Sequence, residues 1–189
     1  MKTSIKVLAA AVLALPLMAC AEEKKAPPPP EPASLEDADR CFRVRDYPCA
    51  IRNYIGYLKI YPNDGNANAR LAIARTRIGK HKESLVYYRK AIELNVVTYD
   101  LYAMYAKSLD ATGDVDGAIA ANRKALEIVP ELVDVRGDLA NQLARKGQHD
   151  EAIKLLEDFD KKLVRDGQSP YFRAHIATLK EQRKAKTGA

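Results

Sequence analysis

The feature that most constrains the fold is a constant internal period. Gly79, Gly113 and Gly147 are evenly spaced along the chain, and each is followed by four residues, then a small residue and an aliphatic one. One further period upstream, residues 45–51 form a fourth copy in which Arg45 stands in place of the glycine. The period is about 34 residues, and a fixed period of about 20 to 50 residues is the signature of stacked structural repeats. We therefore expect four copies of one supersecondary unit.

Each unit is predicted to be two helices joined by a short turn that bears the glycine. Apolar residues recur three or four positions apart on both sides of the turn, which is the helical spacing. The abundance of Ala, Leu, Lys, Arg and Glu also favours helices over strands. Small residues align in two columns, which indicates that the two helices pack closely. The columns are Ala38, Ala72, Ala106 and Ala140, and Ala50, Ser84, Ala118 and Ala152.

This period and these columns resemble the tetratricopeptide repeat. Pro62 and Pro130 stand where that family ends a repeat with proline, whereas Val96 and Val164 replace it in the other two copies. The resemblance implies an all-α fold, in which residues 34–166 form a right-handed superhelical stack of about four helix-turn-helix repeats.

A C-terminal capping helix is expected within residues 167–189. Ser169 and Pro170 resemble an N-cap followed by a first-turn proline, and Phe172, Ile176 and Leu179 form an apolar stripe at helical spacing. We therefore expect a helix from residue 169 to about residue 185, followed by a basic tail.

The N-terminus is predicted to be a signal peptide. Lys2 and Lys6 precede an apolar run over residues 7–19, which is shorter than the roughly 17 to 25 residues that cross a bilayer. The run ends in Leu17-Met18-Ala19-Cys20, which resembles the lipobox of bacterial lipoproteins. The resemblance implies removal of residues 1–19 and lipidation of Cys20. The alternative is a chance cysteine at the end of an ordinary signal peptide.

Residues 20–33 are predicted to be a lipidated stalk. Five prolines between residues 27 and 32 prevent a helix or a sheet, and about a dozen residues in polyproline II form would span on the order of 35 Å. Ala21 follows the cysteine, where lipoproteins retained in the inner membrane usually carry aspartate. The resemblance therefore implies a protein that is anchored in the outer membrane and faces the periplasm.

Several functional classes are not expected. After the signal peptide, the chain carries no HExxH, GxSxG, CxxC, P-loop or SxxK motif. We therefore expect no catalytic residues, no metal site and no cofactor. The net charge of +6 falls to about +4 without Lys2 and Lys6, and the basic residues do not form one concentrated face. Nucleic acid is therefore not an expected partner.

Cys41 and Cys49 flank the turn of the first unit. Antiparallel helices could bring the two thiols together, and an oxidising periplasm would allow a disulfide between them. The other interpretation is that both are small buried residues of the alanine-rich interface.

The resemblance also implies which residues line a groove for protein or peptide partners in the cell envelope. Basic residues are concentrated in its first half, and Asp100, Asp110, Asp134 and Asp138 in its second, so an extended peptide should bind in one direction. The residues do not match the family's two-carboxylate clamp. The candidate partner-binding residues are Phe42, Arg43, Arg70, Ile73, Arg77, Met104, Lys107, Asn141 and Arg145.

The favoured hypothesis is a non-enzymatic adaptor similar in layout to the repeat lipoproteins that assist pilus or secretin assembly. The alternatives are an adaptor for peptidoglycan hydrolases or for barrel assembly, an enzyme with an unrecognised site, and a self-associating module. In the last case Tyr87, Tyr88, Tyr99 and Tyr105 are candidate interface residues, and ordinary packing between helices is the other interpretation. The sequence leaves the oligomeric state open.

Replacement of Cys20 tests the anchor. Cys20→Ser removes the thiol that would carry the lipid, so we expect the protein to leave the outer-membrane fraction and its mass to lack the acyl chains. The measurements are cell fractionation and intact-protein mass spectrometry. Unchanged recovery in the outer membrane, together with an unchanged mass apart from the substitution itself, would contradict lipidation.

Overall fold

The computed structural model describes residues 34–187. The predicted signal peptide, Cys20 and the proline-rich linker lie outside these residues. The described chain folds into nine α-helices without a strand. In order they are α1 (Leu35–Arg43), α2 (Tyr47–Leu58), α3 (Gly65–Arg77), α4 (His81–Glu93), α5 (Tyr99–Ala111), α6 (Val115–Ile128), α7 (Val133–Arg145), α8 (His149–Arg165) and α9 (Arg173–Thr187).

The first eight helices form four hairpins, and each hairpin turns at the predicted position. Gly79, Gly113 and Gly147 have φ angles of 78°, 91° and 82°. Arg45, at the equivalent position of the first hairpin, has a φ angle of 61°. Glycine adopts this left-handed conformation freely, whereas arginine does so at a cost of about 1 kcal/mol. The fourth copy of the repeat is therefore confirmed as a structural copy.

Backbone hydrogen bonds close these turns in the same way. The Lys80 N–H donates to the Arg75 carbonyl at 2.9 Å, and the Asp46 N–H donates to the Cys41 carbonyl at the same distance. Three aspartates then cap the helices that come after them, since Asp46, Asp64 and Asp114 each accept a hydrogen bond from the backbone N–H three residues on. These bonds satisfy groups that a helix end leaves without a partner.

Close packing at the two columns of small residues holds each hairpin together. All eight residues of these columns are at most 1% exposed. Successive helices pack against each other along the chain, and the first helices of the first three hairpins also contact one another directly, α1 against α3 and α3 against α5. The predicted fold class, a superhelical stack of four helical hairpins with an additional C-terminal helix, is confirmed.

In the first hairpin, Cys41 of α1 and Cys49 of α2 are joined by a disulfide, and their Cα atoms lie 5.7 Å apart. Asn53 lies beside the bridge and donates a hydrogen bond from its side-chain amide to the Cys49 carbonyl at 3.0 Å.

The start of the capping helix differs from the prediction. Ser169 and Pro170 precede α9, which begins at Arg173. The cause lies in α8, where the buried Asp160 carboxylate accepts hydrogen bonds from the N–H groups of Tyr171 at 2.8 Å and Phe172 at 3.0 Å. These bonds hold Tyr171 and Phe172 in a non-helical conformation, so α9 begins only at the residue after Phe172.

The predicted apolar stripe is buried, with Phe172 directly before α9 and with Ile176 and Leu179 on it. The Phe172 ring meets the Phe159 ring of α8 edge to face, with 5.9 Å between centroids. It also lies 3.6 Å from the position that a Cβ would occupy at Gly137 of α7. Phe172 therefore attaches α9 to both helices of the fourth hairpin.

Phe172→Ala should lower the free energy of unfolding by about 3 kcal/mol, because it removes a ring that is 4% exposed and leaves a cavity. Denaturant unfolding followed by circular dichroism measures the change. The neighbouring Tyr171→Ala is the control, and we expect a much smaller effect because that side chain is 64% exposed. Equal effects of the two substitutions would show that Phe172 does not anchor α9.

Candidate functional site

The first helix of each hairpin, together with α9, forms a row in which consecutive helices are joined by polar contacts. We call the side of the stack formed by this row the groove. Some of these contacts are exposed ion pairs, and one is a buried hydroxyl pair. The pairs are Asp39 with Arg70 (α1 to α3), Thr76 with Ser108 at 2.7 Å (α3 to α5), Asp110 with Arg145 (α5 to α7), and Asn141 with His175 at 2.8 Å (α7 to α9).

The first of these pairs includes a third group. The Asp39 carboxylate binds the Arg70 guanidinium and also accepts a hydrogen bond of 2.5 Å from the Tyr54 hydroxyl of α2. Burial opposes ionisation of Asp39, but the hydrogen bonds from Arg70 and Tyr54 outweigh it and hold the pKa of this carboxyl below its usual value. The three groups therefore stabilise one another across three helices.

The main cavity of the groove lies between α5 and α7, next to the end of α3. Its volume is about 530 Å³. Charged side chains surround an apolar floor that includes Ala103, Met104 and Val133. The lining residues are Arg77, Tyr99, Asp100, Ala103, Met104, Lys107, Glu131, Leu132, Val133, Asp134, Val135 and Asp138.

The electrostatics of this cavity are dominated by carboxylates. Asp138 is exposed, but the cavity walls remove part of its hydration and raise the pKa of its carboxyl, Lys107 opposes this rise, and Asp110 and Asp134 add to it. Glu131 is engaged by Lys162 of α8 at 3.0 Å. The cavity therefore holds carboxylates that repel one another.

The predicted partner-binding residues differ in their surroundings. Arg77, Met104 and Lys107 line the cavity, and Arg43 is exposed on α1. Arg70, Asn141 and Arg145 are also exposed on the groove, but each already contacts a side chain of a neighbouring helix.

One of the predicted apolar anchors, Ile73, needs correction, whereas Phe42 remains partly accessible. Ile73 is 6% exposed and packs in the core with Ala69 and Tyr88, so it cannot be an exposed anchor. Phe42 is half-buried, with its ring 6.0 Å from that of Tyr47 and 6.3 Å from that of Tyr54. Ile73 is therefore a core residue, and the prediction for Phe42 stays a prediction.

The tyrosines proposed as an interface are also mostly packing residues. Tyr88 is fully buried, and Tyr87 and Tyr105 are half-buried in the core clusters. Tyr99 alone among the four is exposed, at 45%, and it lies at the cavity.

The sequence did not show that Tyr99 and the carboxylates share one cavity with Leu132 and Val133. The i, i+4 spacing of Asp134 and Asp138 was the available signal, since it places both on one face of α7.

Other features of the described residues lie outside the groove. A cavity of about 810 Å³ lies between α8 and α9, and one of about 470 Å³ lies between α6 and α8. Within residues 34–187, no group of three His, Cys, Asp or Glu side chains is arranged to hold a metal ion. None of the helices described by the structure is long and apolar enough to cross a membrane.

Two sequence-family models match parts of the chain. A family model described as tetratricopeptide repeat matches residues 109–168, and a second model of the same description matches residues 66–95. These ranges include the helices of the second, third and fourth hairpins except Gly65 and most of α5. A search of curated proteins gives no match.

Solved structures share the fold. The MamA protein is 18% identical, with a TM-score of 0.60 over 81% of this chain and 89% of its own. MamA from Desulfovibrio magneticus RS-1 is 21% identical, with a TM-score of 0.61 over 70% of this chain and 74% of its own. YrrB, described as a TPR protein with an unusual peptide-binding site, is 15% identical, with a TM-score of 0.62 over 78% of this chain and 81% of its own.

Two aspartates of the groove should have opposite effects on stability. The pKa of Asp39 is lowered by folding, so its ionised form stabilises the fold above its unfolded pKa of about 4, and this stabilisation is lost as the pH falls through the folded value. The pKa of Asp138 is raised by folding, so its ionisation destabilises the fold above the folded value, and protonation relieves this as the pH falls.

At pH 7, Asp39→Asn should therefore lower the free energy of unfolding by about 1 kcal/mol, whereas Asp138→Asn should raise it slightly. The Asp138 difference should shrink as the pH falls to about 4, whereas the Asp39 difference should begin to shrink only there and should be lost at lower pH, below the folded pKa of that carboxyl. Urea unfolding of the two variants at several pH values measures this. A stabilising Asp39→Asn, or a destabilising Asp138→Asn at pH 7, would contradict these assignments.

Proposed function

We propose that the chain is a non-enzymatic scaffold that holds a protein partner in its groove, because family models of the tetratricopeptide repeat match residues 66–95 and 109–168. The observation that carries this proposal is the cavity of about 530 Å³ between α5 and α7, where exposed charges surround an apolar floor. Such a mixture is typical of binding surfaces, in which apolar contact supplies affinity and charges supply orientation. An extended segment of the partner would lie across successive helices of the row.

We further propose that the scaffold is anchored in the outer membrane through Cys20, faces the periplasm and takes part in the assembly of envelope machinery of the pilus or secretin type. The lipobox and the proline-rich linker support this location. The disulfide between Cys41 and Cys49 also fits an oxidising compartment. Scaffolding of peptidoglycan hydrolases or of barrel assembly is the alternative within the same location.

The distribution of charge supports binding in one direction. Arg43 and Arg77 are exposed on α1 and α3, while Asp100, Asp134 and Asp138 are exposed on α5 and α7. A partner segment with an acidic end toward α1 and a basic end toward α7 places opposite charges together. The reverse orientation brings like charges together and is disfavoured.

Site-specific crosslinking in cells tests the groove. The photoreactive residue p-benzoylphenylalanine in place of Tyr99 should crosslink one envelope protein, because the side chain at this position is exposed at the cavity. The same residue in place of Tyr171 is the matched control, since Tyr171 is an exposed aromatic residue before α9. Crosslinks at position 171 in the absence of crosslinks at position 99 would move the partner site to the capping helix.

Charge reversal shows whether the crosslink depends on the cavity. Asp134→Lys with Asp138→Lys should reduce the crosslink at position 99 by about tenfold, because each reversal replaces an attraction for the basic end of the partner segment by a repulsion. Asp116→Lys with Asp150→Lys changes the net charge equally at exposed positions of α6 and α8, and it should leave the crosslink intact. Equal losses in both double variants would assign the effect to overall charge.

A further inference from the structure

We propose that the cavity between α5 and α7 is a subsite for a lysine or arginine side chain of the bound partner segment. This inference rests on the proposed function and specifies its chemistry. The subsite is formed by Tyr99 and Asp100 at the start of α5, by Asp134 and Asp138 on α7, and by the floor around Met104.

The charges of the cavity favour a cation. Four carboxylates and two basic side chains line it, which gives a formal charge of −2. Lys162 already engages Glu131, so Asp100, Asp134 and Asp138 face Arg77 and Lys107 with an excess of one negative charge. The cavity is therefore locally acidic in a chain whose net charge is +6. A basic side chain that enters would relieve the repulsion between the aspartates.

The aspartates on α7 are placed to act together. Asp134 and Asp138 are four residues apart, so they lie one helical turn apart on the same face of α7. Asp110, the other carboxylate near Asp138, is already engaged by Arg145. Asp134 and Asp138 are therefore the carboxylates of α7 that remain to bind a ligand cation at the cavity.

The apolar part of the cavity fits the stem of the same side chain. Tyr99 is 45% exposed, and an exposed aromatic ring attracts a guanidinium or ammonium group placed over its face. Met104, Ala103 and Val133 offer apolar surface to the methylene groups that carry the charge. An exposed aromatic ring, paired carboxylates and an apolar floor together suit arginine and lysine better than a small cation, which needs no apolar contact.

Peptide pools test the subsite directly. The full chain, purified in non-ionic detergent, is immobilised and incubated with pools of nonapeptides in which the central residue is fixed as Arg, Lys, Gln or Glu and the others are randomised. We expect the Arg and Lys pools to be retained about tenfold more than the Gln and Glu pools. This preference is opposite to that expected from the positive net charge, which would attract the Glu pool.

Variants separate the groups of the subsite. Asp134→Asn with Asp138→Asn should bring retention of the Arg pool to within about twofold of the Gln pool. Tyr99→Leu should weaken retention of the Arg pool by about threefold without a preference for Glu. Asp116→Asn with Asp150→Asn removes the same charge from exposed positions on α6 and α8 and should keep the preference. Circular dichroism confirms that each variant is folded.

The outcomes distinguish this inference from the proposed function. If the chain retains every pool equally, or if the Asp134 and Asp138 variant keeps the preference for Arg and Lys, the subsite is overturned while peptide binding stands. If the chain retains no pool above a blank surface, both peptide binding by the groove and the subsite are overturned.

Discussion

The close approach of two helices at each pair of small residues is the contact on which the rest of the structure depends. Ala72 and Ser84 in one hairpin, and Ala106 and Ala118 in the next, are almost completely buried. A larger side chain at any of these positions would push the helices apart, and overpacking of a core typically costs about 1 to 3 kcal/mol. The same contact recurs once in every repeat, so the spacing of one hairpin determines the spacing of the stack.

That spacing makes the polar contacts of the row of first helices possible. A side chain on one first helix can reach a partner one repeat further along the chain because the hairpins stack in constant register, as Asp110 and Arg145 show. Buried pairs reinforce the exposed ones, since Asn122 of α6 donates to Gln142 of α7 at 2.9 Å. A buried polar group without such a partner would cost about 1 to 3 kcal/mol. The groove is therefore held by contacts that depend on the repeat itself.

Features that depend on the period could be predicted from the sequence, whereas contacts that cross from one repeat to another could not. The period was sufficient for the four hairpins, including the turn at Arg45, because the turn is a local conformation. It could not show that Ile73 is buried, that Arg70 is engaged by Asp39, or that Asp160 delays the start of α9. Each of these outcomes depends on how one element packs on another, which helical spacing alone does not specify. The cavity was missed for the same reason, since its residues come from α3, α5, α7 and the segment that precedes α7.

The ion pairs between repeats also determine which side chains of the groove a ligand can bind without competition. Arg70 and Arg145 contribute to the cohesion of the stack through Asp39 and Asp110, and a ligand would have to compete with these partners to bind either arginine. In contrast, the α5–α7 cavity presents Asp100 and Asp134 beside Tyr99. A ligand group that binds there does not need to break a contact that holds two hairpins together. Recognition and stability are thus assigned to different side chains of the same row of helices, so a variant of Asp134 or Tyr99 can change partner choice while the stack stays intact.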